Sequence, residues 1–599
     1  MDDILYLGFS VLKRYNILRY ISYLSFFLLI FITILYYPKG GKGAIKKESV
    51  DQCVVCHKDM SSMDDAHQVE IFGCAVCHGG NRWATNKKDA HRFMVKNPAR
   101  LEHASIFCSK CHKEIVKRVS KSLMNTQSGI LNVLKYQWKE SNSLNSTIGI
   151  KDIRKSKQSS LAEDHFRKMC AACHIDQDEK VFDKGMVKRG GGCSDCHRVS
   201  KGSGNKHAKF STKIPTKNCL KCHNRSNRIG LSYIGVFESE GYGTPYKNGN
   251  FTHKMSDGRR FYYKLPADIH HTKAGLDCID CHTEKGVMGD GRVHKHMEDA
   301  EDIKCKDCHK AKFKKIDTLG KKLLYLNGNI TESNIIAYTR KFSTPLYNIQ
   351  KDNNTTLFYR KIDGKKFNLK QMKDKPYHSL LIHKRLDCSA CHSQWMPSCY
   401  GCHEVYIKKG KQFDWVSKRV TKGQWQEFRS FLRWEHPSLG IGYNGKIMPF
   451  APGCQVVGTI FKDKMVEKFH SMAMAGWDPH TTQLKSRSCE DCHFNPASLG
   501  LGRGHLDIKN GKIVFEPIYD SNASGMPFSY PIDAFVSEEG KQFQSTSRKR
   551  ARSFNKSELY KIVEAYKCII CHNSYDDKIY KDFNNSKKLF YSGKTKCLK

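Results

Sequence analysis

The chain is short of apolar residues, of acidic residues and of spare cysteines. Hydrophobic residues fill 39% of its 599 positions, too little for a conventional packed core throughout a chain this long. Only 59 aspartates and glutamates stand against 101 lysines and arginines, for a formal net charge of +42. Of 26 cysteines, only Cys454 and Cys597 fall outside one recurring motif, so no cysteines remain for a disulfide framework. A fixed repeat period is also missing. Copies of the motif begin 11 to 90 residues apart, which excludes a solenoid.

What is present is Cys-x-x-Cys-His, twelve times. The copies are Cys53, Cys56 and His57; Cys74, Cys77 and His78; Cys108, Cys111 and His112; Cys170, Cys173 and His174; Cys193, Cys196 and His197; Cys219, Cys222 and His223; Cys278, Cys281 and His282; Cys305, Cys308 and His309; Cys388, Cys391 and His392; Cys399, Cys402 and His403; Cys489, Cys492 and His493; and Cys568, Cys571 and His572. Random placement predicts roughly 0.05 copies in such a chain. On one helical turn, residues i, i+3 and i+4 share a face. Two thiols can then bond to the edge of a porphyrin while the imidazole reaches its iron, which is the c-type haem attachment pattern. Zinc ribbons use two Cys pairs per metal and do not require a His after each pair. A thioredoxin-like site uses one pair in a βαβ setting. The reading is twelve covalently bound haem c groups, with the motif histidines as proximal iron ligands. In CSACHSQWMPSCYGCH (Cys388 to His403) two copies lie six residues apart, so their haems are expected to be near neighbours.

Haem is attached in this way outside the bacterial cytoplasm, so the chain is expected to be exported. From Tyr20 to Tyr37, YISYLSFFLLIFITILYY has 18 residues without a charge, enough for a spanning helix. Basic residues flank both ends, so the positive-inside rule does not orient it; the haem motifs place the bulk outside. No A-x-A cleavage site follows. The expectation is a single-pass protein of the cytoplasmic membrane with its haem-bearing bulk in the periplasm. That compartment excludes nucleic acid as the partner of the basic charge. Haem propionates would lower the net charge to about +18 to +30, leaving an excess suited to acidic partner proteins or anionic surfaces.

The expected fold is mainly α with extensive loops and minor β. It is a haem-nucleated multihaem cytochrome c architecture with an N-terminal transmembrane helix. Residues 1–48 form the anchor or signal with its linker, 49–312 an eight-haem region, 313–377 a haem-free β-rich insertion, and 378–599 a four-haem region. The insertion reads as strands with Asn-Gly and Asp-Gly turns. A smaller hairpin is expected from Tyr246 to Leu265, turning at Ser256-Asp257-Gly258. Segment 113–164 is polar and helical in part.

Sixteen histidines lie outside the motifs, enough to supply every haem with a second axial imidazole. The candidate distal ligands are His67, His91, His103, His165, His207, His271, His296, His378, His383, His470 and His480. His270 and His294 are the alternatives within adjacent pairs. Methionine ligands are expected to be few. His436 and Cys454 lie in a loop, EHPSLGIGYNGKIMPFAPGCQ, that could border an open haem; an inert buried thiol is the other reading of Cys454. Cys597 reads as a tail thiol.

CVVCHKDM, GCAVCHGG, DHFRKMCAACH, ADIHHTKAGLDCIDCHT, MPSCYGCH and DPHTTQLKSRSCEDCH, spread over most of the chain after residue 50, resemble large multihaem c-type cytochromes of anaerobically respiring bacteria. The resemblance implies an electron carrier more than an enzyme. Its partners would be a membrane quinol-oxidising complex and other cytochromes, and its acceptors would be periplasmic or at the outer membrane. The alternative is a periplasmic oxidoreductase for a small nitrogen or sulfur compound at one open-coordination haem. Related nitrite reductases often use Cys-x-x-Cys-Lys at the open haem, and that motif does not occur here. Neither reading sets the oligomeric state.

Overall fold

A computed structural model describes residues 51–156, 159–177, 189, 191–202, 206–224, 229–238, 246–247, 250–251, 262–316, 335–372, 376–400, 403–428, 432–462, 465–510, 512–518 and 530–595. Most helices are single turns, and the attachment motifs make many of them. At the motifs that are helical turns the His N–H donates to the first Cys carbonyl, for example at 2.8 Å in His112 and His572 and 3.1 Å in His223. That is the i to i−4 bond of one α-turn, and it puts both thiols and the imidazole on one side. Where the residue before the second Cys is Asp, its carboxylate reaches back and caps the turn. Asp280 accepts from the Asp277 N–H at 2.8 Å, Asp307 from Lys304 at 2.9 Å and Asp491 from Ser488 at 2.7 Å. Such a cap satisfies a donor that the helix leaves unpaired.

Longer helices lie mainly between the third and fourth motifs, at Ser109–Lys121 and Ser128–Gln137, and near the C-terminal end, at Lys556–Glu564 and Phe583–Tyr591. Leu131, Leu134, Ile150, Ile153, Ala162 and Phe166 close a buried helical core there, with Val416 inserted from a distant hairpin.

Two sheets carry much of the remainder. The first is a five-stranded antiparallel meander of β1 (Lys312–Lys315), β2 (Ile335–Tyr338), β3 (Pro345–Asp352), β4 (Thr355–Tyr359) and β5 (Lys366–Asn368), in sequential order. Its Ala337, Leu346, Ile349 and Phe358 pack on Leu276 and Ile303, beside Cys281 and Cys308. The second has six strands: β6 (His403–Asp414), β7 (Arg419–Phe428), β8 (Ser438–Ile441), β9 (Ile447–Lys462), β10 (Met465–Gly476) and, much later, Ser545–Thr546. Its order is β7-β6-β9-β10 and then Ser545–Thr546, with β8 pairing β9. β6 runs parallel to β9, with His403 opposite Val457. Met448, Phe450, Met472 and Met474 from this sheet bury against Phe535.

Several expectations are corrected. The fold is not mainly α: β6, β9 and β10 are 12, 16 and 12 residues long, in a region read as helix and loop. The polar residues Lys422, Gln424 and Gln426 interrupt the alternation of β7 (RVTKGQWQEF), so it does not read as a strand. These side chains are tolerated because β7 is the edge of its sheet. At the tenth motif Cys399 lies in a short strand and His403 opens β6. The expected N-terminal transmembrane helix, and with it a single-pass membrane location, is withdrawn. Among the described residues no helix is long and apolar enough to cross a membrane, and the run at 20–37 lies outside them. In the expected hairpin, Tyr246–Lys247 pairs with Asn250–Phe251, and Val236–Glu238 pairs with Tyr262–Lys264. Its turn at 256–258 lies outside the described residues, as do Cys402 and Cys597.

Candidate haem-ligation sites

Six motif histidines each face a histidine from elsewhere in the chain. Ring centroids are 6.0 Å apart for His57–His91, 6.0 Å for His67–His112, 6.1 Å for His78–His207, 6.2 Å for His282–His480, 5.9 Å for His270–His309 and 6.2 Å for His383–His493. Stacked or edge-on aromatic pairs have no reason to share so narrow a range. A metal ion between two imidazoles does: with metal–nitrogen bonds of about 2.0 Å, centroids should fall roughly 6.2 Å apart. Six independent pairs at this spacing fit a six-coordinate haem iron.

The outer nitrogens agree. A backbone carbonyl or ionised carboxylate only accepts, so a ring nitrogen bonded to it must be the N–H, which leaves Nε2 unprotonated for a metal. His78 Nδ1 donates to the Val95 carbonyl at 2.7 Å, His309 to Lys370 at 2.7 Å, His207 to Ala208 at 2.8 Å and His493 to Ile562 at 2.5 Å. His67 donates to Asp64 and His270 to Asp268, both at 2.8 Å. Burial first, and then the facing ring, pushes His282 down to about 3 and His383 to about 4. Both therefore stay neutral, the form that binds metal.

The thiols form a second pattern. Thiols of different motifs hydrogen-bond one another: Cys219 with Cys278, Cys222 with Cys173, and Cys305 with Cys388. Elsewhere burial raises a thiol and the thiol of another motif adds to it, as Cys74 does for Cys53, Cys111 for Cys77, Cys108 for Cys193, Cys308 for Cys281 and Cys492 for Cys391. Cys219 also lies in the field of Cys196. Cys489 Sγ reaches the Asn573 carbonyl beside the twelfth motif at 3.6 Å. Direct contacts thus join the sixth motif to the fourth and the seventh, the eighth to the ninth and the eleventh to the twelfth, and the remaining links are neighbouring charges only.

Apolar side chains near the first three motifs are left uncovered: Ile71 is 69% exposed, Phe93 84% and Ile106 59%. Such surface beside paired imidazoles and thiols suits a flat apolar macrocycle. Among the described residues no three His, Cys, Asp or Glu side chains converge on one point, the arrangement a structural zinc would take. The residues present fit haem c.

Other sequence candidates fall differently. His271, the expected member of its pair, packs against Tyr233 at 5.2 Å, and His270 faces His309 instead. His294 turns Nε2 to Asp290 at 3.0 Å, while His296 is buried. His103 donates Nδ1 to the Asn97 carbonyl at 3.0 Å. The field of His378 reaches His392. His165 faces no motif histidine; its Nε2 lies 3.4 Å from Glu404 Oε1. His436 Nε2 lies 3.3 Å from Asp491 Oδ1, which occupies the nitrogen a metal would need. His470 sits in β10 opposite Val457, itself opposite His403; the side chains of His403, Cys454 and His470 are outside the described residues. No pair joins a distal histidine to the motif nearest it in sequence. His270, eight residues before Cys278, serves the following motif; His480, nine before Cys489, serves the seventh. Sequence proximity could not have assigned them.

No family model, curated protein or solved structure matches the chain.

Proposed function

We propose that this chain is an electron-transfer protein holding twelve covalently bound haem c groups. It would carry electrons from a membrane quinol-oxidising complex to other cytochromes. The six imidazole pairs at one common spacing carry the reading, because that spacing has no purpose in an apoprotein. Haem c, when bound, supplies reversible one-electron chemistry. The chain's own part is to fix each group by two cysteines, clamp it axially by histidine, and set neighbours close together. The contacts between thiols of different motifs support close spacing. The exposed thiols, Cys56, Cys111, Cys305 and Cys571, are spread over the first, third, eighth and twelfth motifs. These motifs suit contact with separate donor and acceptor proteins.

The test begins with mass spectrometry and absorbance on the purified protein. Twelve covalent haems per chain, taking up twelve electrons that all leave rapidly to an added cytochrome, is the expected result. Motif cysteines that remain open to alkylation, or electrons trapped in most of the chain, would defeat the proposal.

A further inference from the structure

Among the paired rings, His67 and His270 donate Nδ1 to a carboxylate, Asp64 and Asp268 in turn. The two carboxylates differ in setting: the Asp64 side chain is 26% exposed and that of Asp268 3%. Asp268 also meets more than one ring. It caps the turn Ile269–Thr272, its Oδ1 accepting from the His270 N–H at 2.9 Å and from the His270 ring at 2.8 Å. Its Oδ2 accepts from the Thr482 N–H at 2.8 Å. The Ile269 N–H answers that bond by donating to the Thr482 carbonyl at 2.9 Å. Thr482 lies two residues after His480, the ring that faces His282. His480 has φ +53°, a left-handed backbone uncommon for a residue with a Cβ and held by its surroundings. The chain on either side of it is pinned. The Pro479 carbonyl accepts from Ser232 Oγ at 2.6 Å, Thr481 Oγ1 donates to the Trp395 carbonyl at 2.6 Å, and Thr482 rests on Asp268. One buried carboxylate therefore bonds the facing ring of the eighth site and braces the segment that carries the facing ring of the seventh. Three N–H bonds keep it ionised against its burial.

We infer that Asp268 is a positioning residue shared by the seventh and eighth haem sites, and that its charge holds the eighth haem at a lower potential than a neutral acceptor there would. This rests on the haem-attachment reading. A carboxylate on Nδ1 makes an imidazole a stronger donor to metal through Nε2. That favours ferric iron over ferrous, the two differing by one electron, and so does a negative charge close by in dry surroundings. The eighth motif reaches the ninth through Cys305 and Cys388. Asp268 thus sets the energy of the step between the first eight motifs and the last four.

The experiment uses the full holoprotein, with covalent haem counted first. A count far below twelve would overturn the attachment reading and the inference with it; a count of twelve isolates the inference. Cys305→Ala/Cys308→Ala and Cys278→Ala/Cys281→Ala then assign the low-spin electron paramagnetic resonance signals of the eighth and seventh haems by their loss. Redox titration of these signals compares the parent with Asp268→Asn and Asp268→Ser. Asn and Ser cap a helical turn about as well as Asp, so both variants should keep twelve haems. At a fixed potential the ratio of ferrous to ferric eighth haem should rise about tenfold in each, a shift of about 59 mV for one electron. Both variants also take the acceptor from the Thr482 N–H, so the seventh haem, whose rings are 7° from coplanar, should change its g values. An eighth-haem ratio within twofold of the parent in either variant would overturn the role of the charge. An unchanged seventh-haem signal in either would overturn the shared bracing. Loss of the eighth haem from both would show a purely structural role and overturn the tuning as well.

Discussion

Removing one ring from a facing pair tests the site geometry directly. His383 is the ring to remove, because its partner His493 is fixed independently by its bond to the Ile562 carbonyl. His383→Ala deletes one axial ligand and leaves the thiols untouched, so covalent haem content should not change. Roughly one-twelfth of the haem should pass from low to high spin, and carbon monoxide uptake should rise by one per chain. His383→Met should restore six-coordination with a higher potential at that site, since a thioether favours the reduced iron. The pairs also differ in ring angle: His282 and His480 are 7° from coplanar, and His78 and His207 stand at 67°. Parallel and crossed imidazole planes split the iron d orbitals differently, so His480→Ala and His207→Ala should delete different low-spin resonances. His436→Gln is the control, because its Nε2 is turned to Asp491; it should change neither spin state nor uptake. If His383→Ala and His480→Ala both keep the parent spectrum and bind no extra carbon monoxide, the facing rings are not iron ligands and the spacing argument fails.

Three further outcomes follow from the packing. Arg167 and Asp414 are both buried, and Asp414 also accepts from the Val416 and Ser417 N–H groups. Arg167→Met should cost about 3 kcal/mol in denaturant unfolding, because it strands a buried carboxylate, and Arg167→Met/Asp414→Leu should recover much of that. The Glu558 carboxyl is held down to about 2: burial acts against this, but bonds from Arg552, the Asn555 N–H and Arg385 outweigh it. Its contribution is complete above about pH 4.5 and is lost as pH falls toward 2, roughly 1 kcal/mol after screening by solvent. Glu558→Gln should flatten that part of the acid melting curve. Gly192 has φ +60°, and a Cβ there would lie 2.3 Å from the Ala99 carbonyl oxygen. Gly192→Ala should destabilise the chain by at least about 2 kcal/mol and lower haem incorporation at Cys193, measured by peptide mass.

Much of the local structure could be read from the residues. An Asp before the second Cys caps its turn, and the Cys-to-His bond closes that turn wherever the motif is helical. Of the turns expected in the five-stranded meander, Asp363-Gly364 joins β4 to β5 as read, with Gly364 at φ +73°; the Asn-Gly turn at 327–328 lies outside the described residues. The six-stranded sheet was not legible in this way. β6 and β9 are parallel partners more than 40 positions apart, and Lys422, Gln424 and Gln426 of β7 break the alternation that marks a strand. β7 pairs β6 on one side, and on its open edge the Gly423 carbonyl accepts from Lys168 Nζ at 2.9 Å, a property of its place in the fold and not of its own residues.

The haem-attachment reading came from the sequence alone: which cysteines and which histidine make up each motif, and how many motifs the chain carries. Those follow from spacings of three and four residues, which one helical turn converts into geometry without outside help. Only the tertiary structure shows which second histidine faces a motif histidine in the six pairs. His67 passes over the second motif to face His112, and His480 comes from 198 positions away to face His282. A partner across such a gap is set by how strands and turns pack.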